Sequence, residues 1–222
     1  MTKFKEIVEE FKTVVKGKTL DALLPPIIFI VFNSFLELIY AMIGAVLIAF
    51  VILIMRIIKK EKSIYALAGF LGVLFAVILT YINQNATSFY LPGLISSGLL
   101  TLIILISLLI KKPLALYASH LTRGWTFEWF FRKDIYPAYL EATIFWLIFF
   151  ALRTSLLGYL YTNDEVELLF LINTLLGLPA TFIVLLITYI YGLWRLRTLG
   201  GPGIEEFDQG KNPPYKGQTR GF

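Results

Sequence analysis

Residues 39–60 read Ile39-Tyr40-Ala41-Met42-Ile43-Gly44-Ala45-Val46-Leu47-Ile48-Ala49-Phe50-Val51-Ile52-Leu53-Ile54-Met55-Arg56-Ile57-Ile58-Lys59-Lys60. No charge interrupts this run before Arg56, and it closes on a lysine pair. A helix crossing the roughly 30 Å hydrocarbon core of a bilayer needs about 20 consecutive apolar residues, and residues 39–58 supply them. A soluble core helix would instead show polar residues recurring with the 3.6-residue period of a solvated face. Lipid is the solvent this stretch is written for.

Working outward, five more apolar runs occupy residues 22–36, 64–82, 90–110, 135–160 and 168–194, separated by polar or basic breaks. The composition agrees: of 222 residues 58% are hydrophobic and 16% charged, with a mean hydropathy of +0.76, against about 25% charge in soluble domains. The fold class is therefore all-α, a polytopic transmembrane helix bundle of six spans with a short first one.

Every basic residue except Arg153 falls before residue 22, in 56–62, in 111–133 or in 195–220. The alternate breaks carry Glu37, Asp164, Glu165 and Glu167 and no basic residue. The positive-inside rule then puts both termini on the cytoplasmic side, and the net charge of +5 speaks for headgroups rather than nucleic acid. Residues 1–21 read as a cytoplasmic amphipathic segment without a signal-peptide pattern, 22–198 as the bundle, and 199–222 as a cytoplasmic polar tail, Gly- and Pro-rich and without its own core. Residues 113–133, too polar to cross yet rich in aromatics, form an interfacial segment.

The first run is the weak point. About 15 residues at 1.5 Å each reach roughly 23 Å, so a re-entrant segment competes with a short crossing. Pro25 and Pro26 suit the first turn of its helix, where their missing N–H groups cost nothing. The basic ends of the second and fourth spans resemble each other, a weak sign of a duplicated hairpin. Small residues four apart, Ala41 with Ala45 and Ala49, Ala68 with Gly72, and Gly93 with Ser97, predict packing seams. Gly177 and Pro179 predict a bend in the last span.

Charges inside the bilayer are costly and mark candidate sites. Arg153 and Glu141 qualify, both in the fifth span, and Glu141 is expected to meet Arg132, Lys133 or water. The depth of Arg153 suggests an outer-leaflet polar cluster of Asn33, Glu37, Arg153 and Asn173. Trp125, Trp129, Arg132 and Phe222 are candidates for docking a partner. With no cysteine and a single histidine, His120, disulfides and thiolate sites are excluded and a metal centre lacks ligands. No nucleophile elbow, paired carboxylates or phosphate loop is present, and the Gly200-Gly201-Pro202-Gly203 run lacks the strand and helix a phosphate loop requires. Neither enzyme activity nor a cofactor is expected. Asn85-Ala86-Thr87 fits a glycosylation acceptor, a pattern of little specificity.

Leu24-Pro25-Pro26-Ile27-Ile28-Phe29 followed by Asn33-Ser34, with Lys111-Lys112-Pro113-Leu114 closing the fourth span, resembles the intracellular septation protein A family and a related family of uncharacterised bacterial multi-pass membrane proteins. The second is the closer, through Ala68-Gly69-Phe70-Leu71-Gly72-Val73, Phe89-Tyr90-Leu91-Pro92-Gly93 and Phe150-Ala151-Leu152-Arg153. The resemblance implies a plasma-membrane protein without known enzymatic chemistry, linked in the septation branch to envelope maintenance and division. The resulting expectation is a scaffold or accessory subunit with the lipid bilayer and other membrane proteins as partners, in a hetero- or homo-oligomer. The alternative is a small-solute or ion transporter or channel using the polar cluster.

Overall fold

A computed structural model describes residues 20–60, 63–218 and 222, and among them it is helical throughout, without strands. The expected amphipathic helix of residues 1–21 lies almost wholly outside the described residues. In chain order the elements are α1 Leu20–Phe35, α2 Leu38–Ile58, α3 Ser63–Asn83, a 3-10 turn Ala86–Tyr90, α4 Leu91–Leu109, α5 Leu114–Arg123 and α6 Phe127–Phe130. There follow α7 Tyr136–Thr162, α8 Val166–Leu175, α9 Leu178–Leu199 and α10 Ile204–Asp208.

Among the described residues, five helical stretches are long and apolar enough to cross a membrane: Leu38–Ile58, Ile64–Asn83, Ala86–Leu109, Tyr136–Thr162 and Val166–Leu199. The chain is thus a multi-pass membrane protein by length and composition. The sixth expected crossing narrows to α1, an apolar helix of 16 residues, which at 1.5 Å per residue spans about 24 Å. Its prolines also sit deeper than expected. The helix is already formed at Leu20, so Pro25 and Pro26 lie inside it rather than in its first turn, and their rings remove backbone donors from the second turn.

Helix ends follow local chemistry. Lys60, Gln84, Lys111 and Asp164 each adopt φ between 50° and 57° just after a long helix, the left-handed conformation that halts helical hydrogen bonding. The last crossing is interrupted as expected. Gly177 caps α9 with Pro179 in its first turn, so α8 and α9 are separate helices.

The chain divides into two units. The first comprises residues up to Ile95 together with Leu157–Thr174. There α1 packs on α2 and α2 on α3. Ala41, Ala45 and Ala49 are buried, which confirms that small-residue seam, and Phe29 stacks on Phe89 with ring centroids 4.0 Å apart. Ala68 and Gly72 behave otherwise: both are exposed, and a methyl group added to Gly72 would meet nothing within 4 Å. Their spacing faces outward on α3, so it makes no seam within this unit.

The second unit comprises Ser96–Leu156 and Leu175–Phe222. Its core gathers Leu116, Trp129, Phe130, Ile135, Tyr139 and Leu196, with Leu199, Ile204, Phe207 and Phe222 packed against them. The tail expected to be solvated is therefore packed against its own unit, and the segment 113–133 is the helical pair α5 and α6 that receives it.

Candidate functional site

The four docking candidates converge on this second core. Trp129, fully buried, donates its indole N–H to the carbonyl of Pro202 at 2.9 Å. Trp125 meets Trp129 edge-on at 5.3 Å, and the guanidinium of Arg123 lies 5.2 Å from the Trp125 ring centre. Arg132 is held by Asp134 through two hydrogen bonds of 2.9 and 2.7 Å, and its guanidinium lies over the ring of Phe207. The bond to Asp134 keeps that guanidinium above its ordinary pKa. Phe222 stacks flat on Tyr139, centroids 4.6 Å apart, and its ring covers Gly192 so closely that any side chain there would collide with it. The structure brings all four residues to one core: Trp129 and Arg132 hold residues of the tail, Phe222 belongs to the tail, and Trp125 packs on Trp129.

Backbone donors fix the tail from its other side. The Glu206 carboxylate accepts from the N–H groups of Gly203, Lys216 and Gly217 at 2.9 to 3.0 Å. Those three bonds favour the ionised form and hold Glu206 below the usual carboxylate range. The Gln218 side-chain carbonyl accepts from the N–H of Ile204. Gly201 passes so close to Asp134 and Ile135 that a methyl group at that position would sit 2.9 Å from both. The glycine run 200–203 thus answers to close approach of backbone, not to a bound phosphate. We call this assembly of α5, α6 and residues 200–218 the cap.

Glu141 departs from expectation. It neither meets Arg132 nor Lys133. Arg195 on α9 binds it with Nε and Nη2 at 2.8 to 3.1 Å, and the Tyr191 hydroxyl donates to it at 2.7 Å. A bidentate guanidinium is a strong match for a carboxylate held among apolar helices. The signal was present in the sequence, because Tyr191 and Arg195 are four apart and share one helical face.

Of the expected polar cluster, Asn33, Glu37 and Asn173 belong to the first unit and Arg153 to the second. Glu37 is exposed and precedes α2 without capping it through its side chain. Asn173 lies against Gly93. Beside Arg153 on α7, Thr154 hydrogen-bonds Ser97 at 2.8 Å and Thr101 at 3.2 Å. His120 is bonded through Nδ1 to the carbonyl of Trp125 and stacks on Phe127, a structural use of the ring.

The first unit also ties a polar knot that sequence reasoning missed. Asn85 receives the N–H and hydroxyl of Thr87 and donates its amide to Asp164, while Asn83 donates to Ser88. Thr87 and Ser88 are buried. The acceptor pattern Asn85-Ala86-Thr87 is here an Asx turn that starts the 3-10 helix. Among the described residues, no group of three or more acidic or histidine side chains could hold a metal ion.

Residues 16–195 match the family described as "Protein of unknown function (DUF3159)". The chain belongs to this family. Its members' function is undefined by that description, in keeping with the uncharacterised membrane family expected from the residues, and the match makes no link to septation protein A. No curated protein and no solved structure matches the chain.

Proposed function

We propose that this DUF3159 protein is a non-enzymatic scaffold or accessory subunit of a plasma-membrane complex, with the cap as the face it presents to a protein partner. The observation that carries this reading is the cap's fixed shape. Ordering a backbone costs roughly 1–2 kcal/mol per residue, yet residues 200–218 are held by an indole donor, a three-pronged carboxylate and a buried glutamine. A polar segment held so firmly, with Glu205, Asp208, Lys211 and Lys216 left exposed on it, suits recognition at the membrane surface. Around it, Leu121, Phe127 and Phe131 are exposed apolar side chains of the kind that rest in an interfacial layer.

The distribution of basic residues supports placing the cap and both termini on the cytoplasmic side. The resemblance to the septation family adds cell-envelope maintenance as the setting. The test is purification in mild detergent of the full chain, of Lys211→Glu with Lys216→Glu, and of a chain lacking residues 200–222. A partner at fixed stoichiometry with the first, lost from both others while helical content and monodispersity persist, is the expected result. A particle without partner, or a partner indifferent to the charge reversal, refutes the proposal.

A further inference from the structure

The first unit contains a cavity of about 370 Å³ between α2 and α3. Its α2 wall is one helical stripe, Ile39, Met42, Ile43, Val46 and Leu47, while Ile78 and Tyr81 line it from α3. Ile39 and Leu47 are eight residues apart, about 12 Å along the axis. Ile39 is the second residue of α2, and Tyr81 lies two residues before the end of α3. The slot therefore reaches the end of this helix pair where Glu37 stands. Glu37 is exposed, and its side chain makes no capping hydrogen bond. Asp164 is held at the same end by Asn85, two residues beyond α3. Among the described residues of the first unit, the basic side chains are Arg56, Lys59 and Lys60. All three belong to the far end of α2, about 25 Å or more from Ile39.

We propose that this slot binds one chain of a phospholipid with a primary-amine headgroup, phosphatidylethanolamine, its ammonium on the Glu37 carboxylate and a phosphate oxygen accepting from the Tyr81 hydroxyl. Four considerations combine. Both helices have the length and composition of membrane spans, and Ile39, Ile43 and Leu47 are exposed, so hydrocarbon from the bilayer has direct entry. The volume is at the small end of ligand pockets, roughly 300–1,000 Å³, which suits a chain segment and leaves the headgroup at the mouth. With carboxylates at that mouth and the basic residues of the unit at the other end, a net negative headgroup is repelled and an ammonium attracted. A primary ammonium also brings three N–H donors to a carboxylate, whereas a choline group has none and pairs through charge alone.

The test uses the full-length protein in a neutral detergent, titrated with phosphatidylethanolamine, phosphatidylcholine or phosphatidylglycerol of equal chain length and examined by native mass spectrometry. One phosphatidylethanolamine should be retained with a preference of about fivefold over phosphatidylglycerol, the upper range for an exposed ion pair, with phosphatidylcholine between them. Glu37→Gln, at an exposed position without a capping bond, should bring that preference close to one, and Glu37→Asp should keep it. Ile43→Trp and Leu47→Trp each put a larger side chain into the slot from an exposed position. They should remove the retained lipid of every class without lowering helical content. Free ethanolamine should not displace the lipid. Equal retention of the ethanolamine and glycerol lipids by the native chain, an unchanged preference in Glu37→Gln, retained lipid in both tryptophan variants, or displacement by free ethanolamine overturns the proposal.

Discussion

Replacing Trp129 by alanine is the sharpest way to open the cap. The side chain is fully buried and meets Trp125, Phe130 and Tyr139 at ring distances of 5.3, 5.2 and 6.2 Å. Removing a large buried aromatic costs about 3–5 kcal/mol through lost contacts and the cavity left behind. The orphaned Pro202 carbonyl accounts for about 1–2 kcal/mol of that. Trp129→Phe brackets the donor's share, because it keeps one packed ring while losing the N–H donor and the remainder of the indole. The loss falls on the contact between α6 and the tail, so it acts on local opening before global unfolding. The Lys216 and Gly217 amides, both bonded to Glu206, report it. Their hydrogen exchange should accelerate by about a hundredfold or more in Trp129→Ala and by roughly tenfold in Trp129→Phe. Amides in α2 should be unaffected. Unchanged exchange at Lys216 and Gly217 in Trp129→Ala would refute the claim that the indole holds the tail.

Glu206 makes the tail sensitive to acid. Its folded pKa lies below the unfolded one, so its contribution is complete above the ordinary value of about 4.3 and is lost as pH falls through the lowered one. Protease cleavage within 205–217 should therefore appear only at acid pH in the native chain and already at neutral pH in Glu206→Gln; equal cleavage of both at neutral pH would contradict this. Glu141→Gln takes the bidentate partner from Arg195 and should lower the thermal unfolding temperature in detergent. Arg195→Gln should do the same, and the double variant should not add the two losses, since both remove one interaction. Asp164→Ala forces a Cβ-bearing residue without a side-chain acceptor into φ 56° and frees the amide of Asn85. It should destabilise the first unit by about 1–2 kcal/mol, measurable as a melting shift, whereas Asp164→Asn, tolerant of that conformation, should cost less.

What could be read from the residues divides by mechanism. Spans are legible because burial in lipid is written in consecutive apolar letters, and the break at Gly177 because glycine followed by Leu178-Pro179 marks a helix restart. The small seam at Ala41 and Ala45 was legible for the same reason. The identical spacing at Ala68 and Gly72 misled, because periodicity does not say which face of α3 meets another helix. The tail was misread for a clearer cause. Its Gly, Pro and acidic residues have the composition of disorder, and its order comes from backbone N–H groups directed at one carboxylate, which composition does not register. The Gly203-x-x-Glu206 spacing, a helix-start pattern with its reach-back glutamate, was the signal available. Glu141 stands within the helical stretch Tyr136–Thr162, but its partner lies 54 residues away, beyond any local pattern except the Tyr191 and Arg195 pairing on one face.

The Trp129 to Pro202 contact joins residues 73 positions apart, and that separation sets an order of assembly. At roughly 5–20 residues per second of synthesis, the indole and the Tyr139 ring are made about 4–15 s before the backbone that covers them exists. During that interval α6 has finished translation while α9 has yet to follow, so the aromatic pocket stands open to the translocation machinery and to neighbouring nascent chains. Closing the cap therefore waits on residues 200–218, and until they are made that pocket stays uncovered.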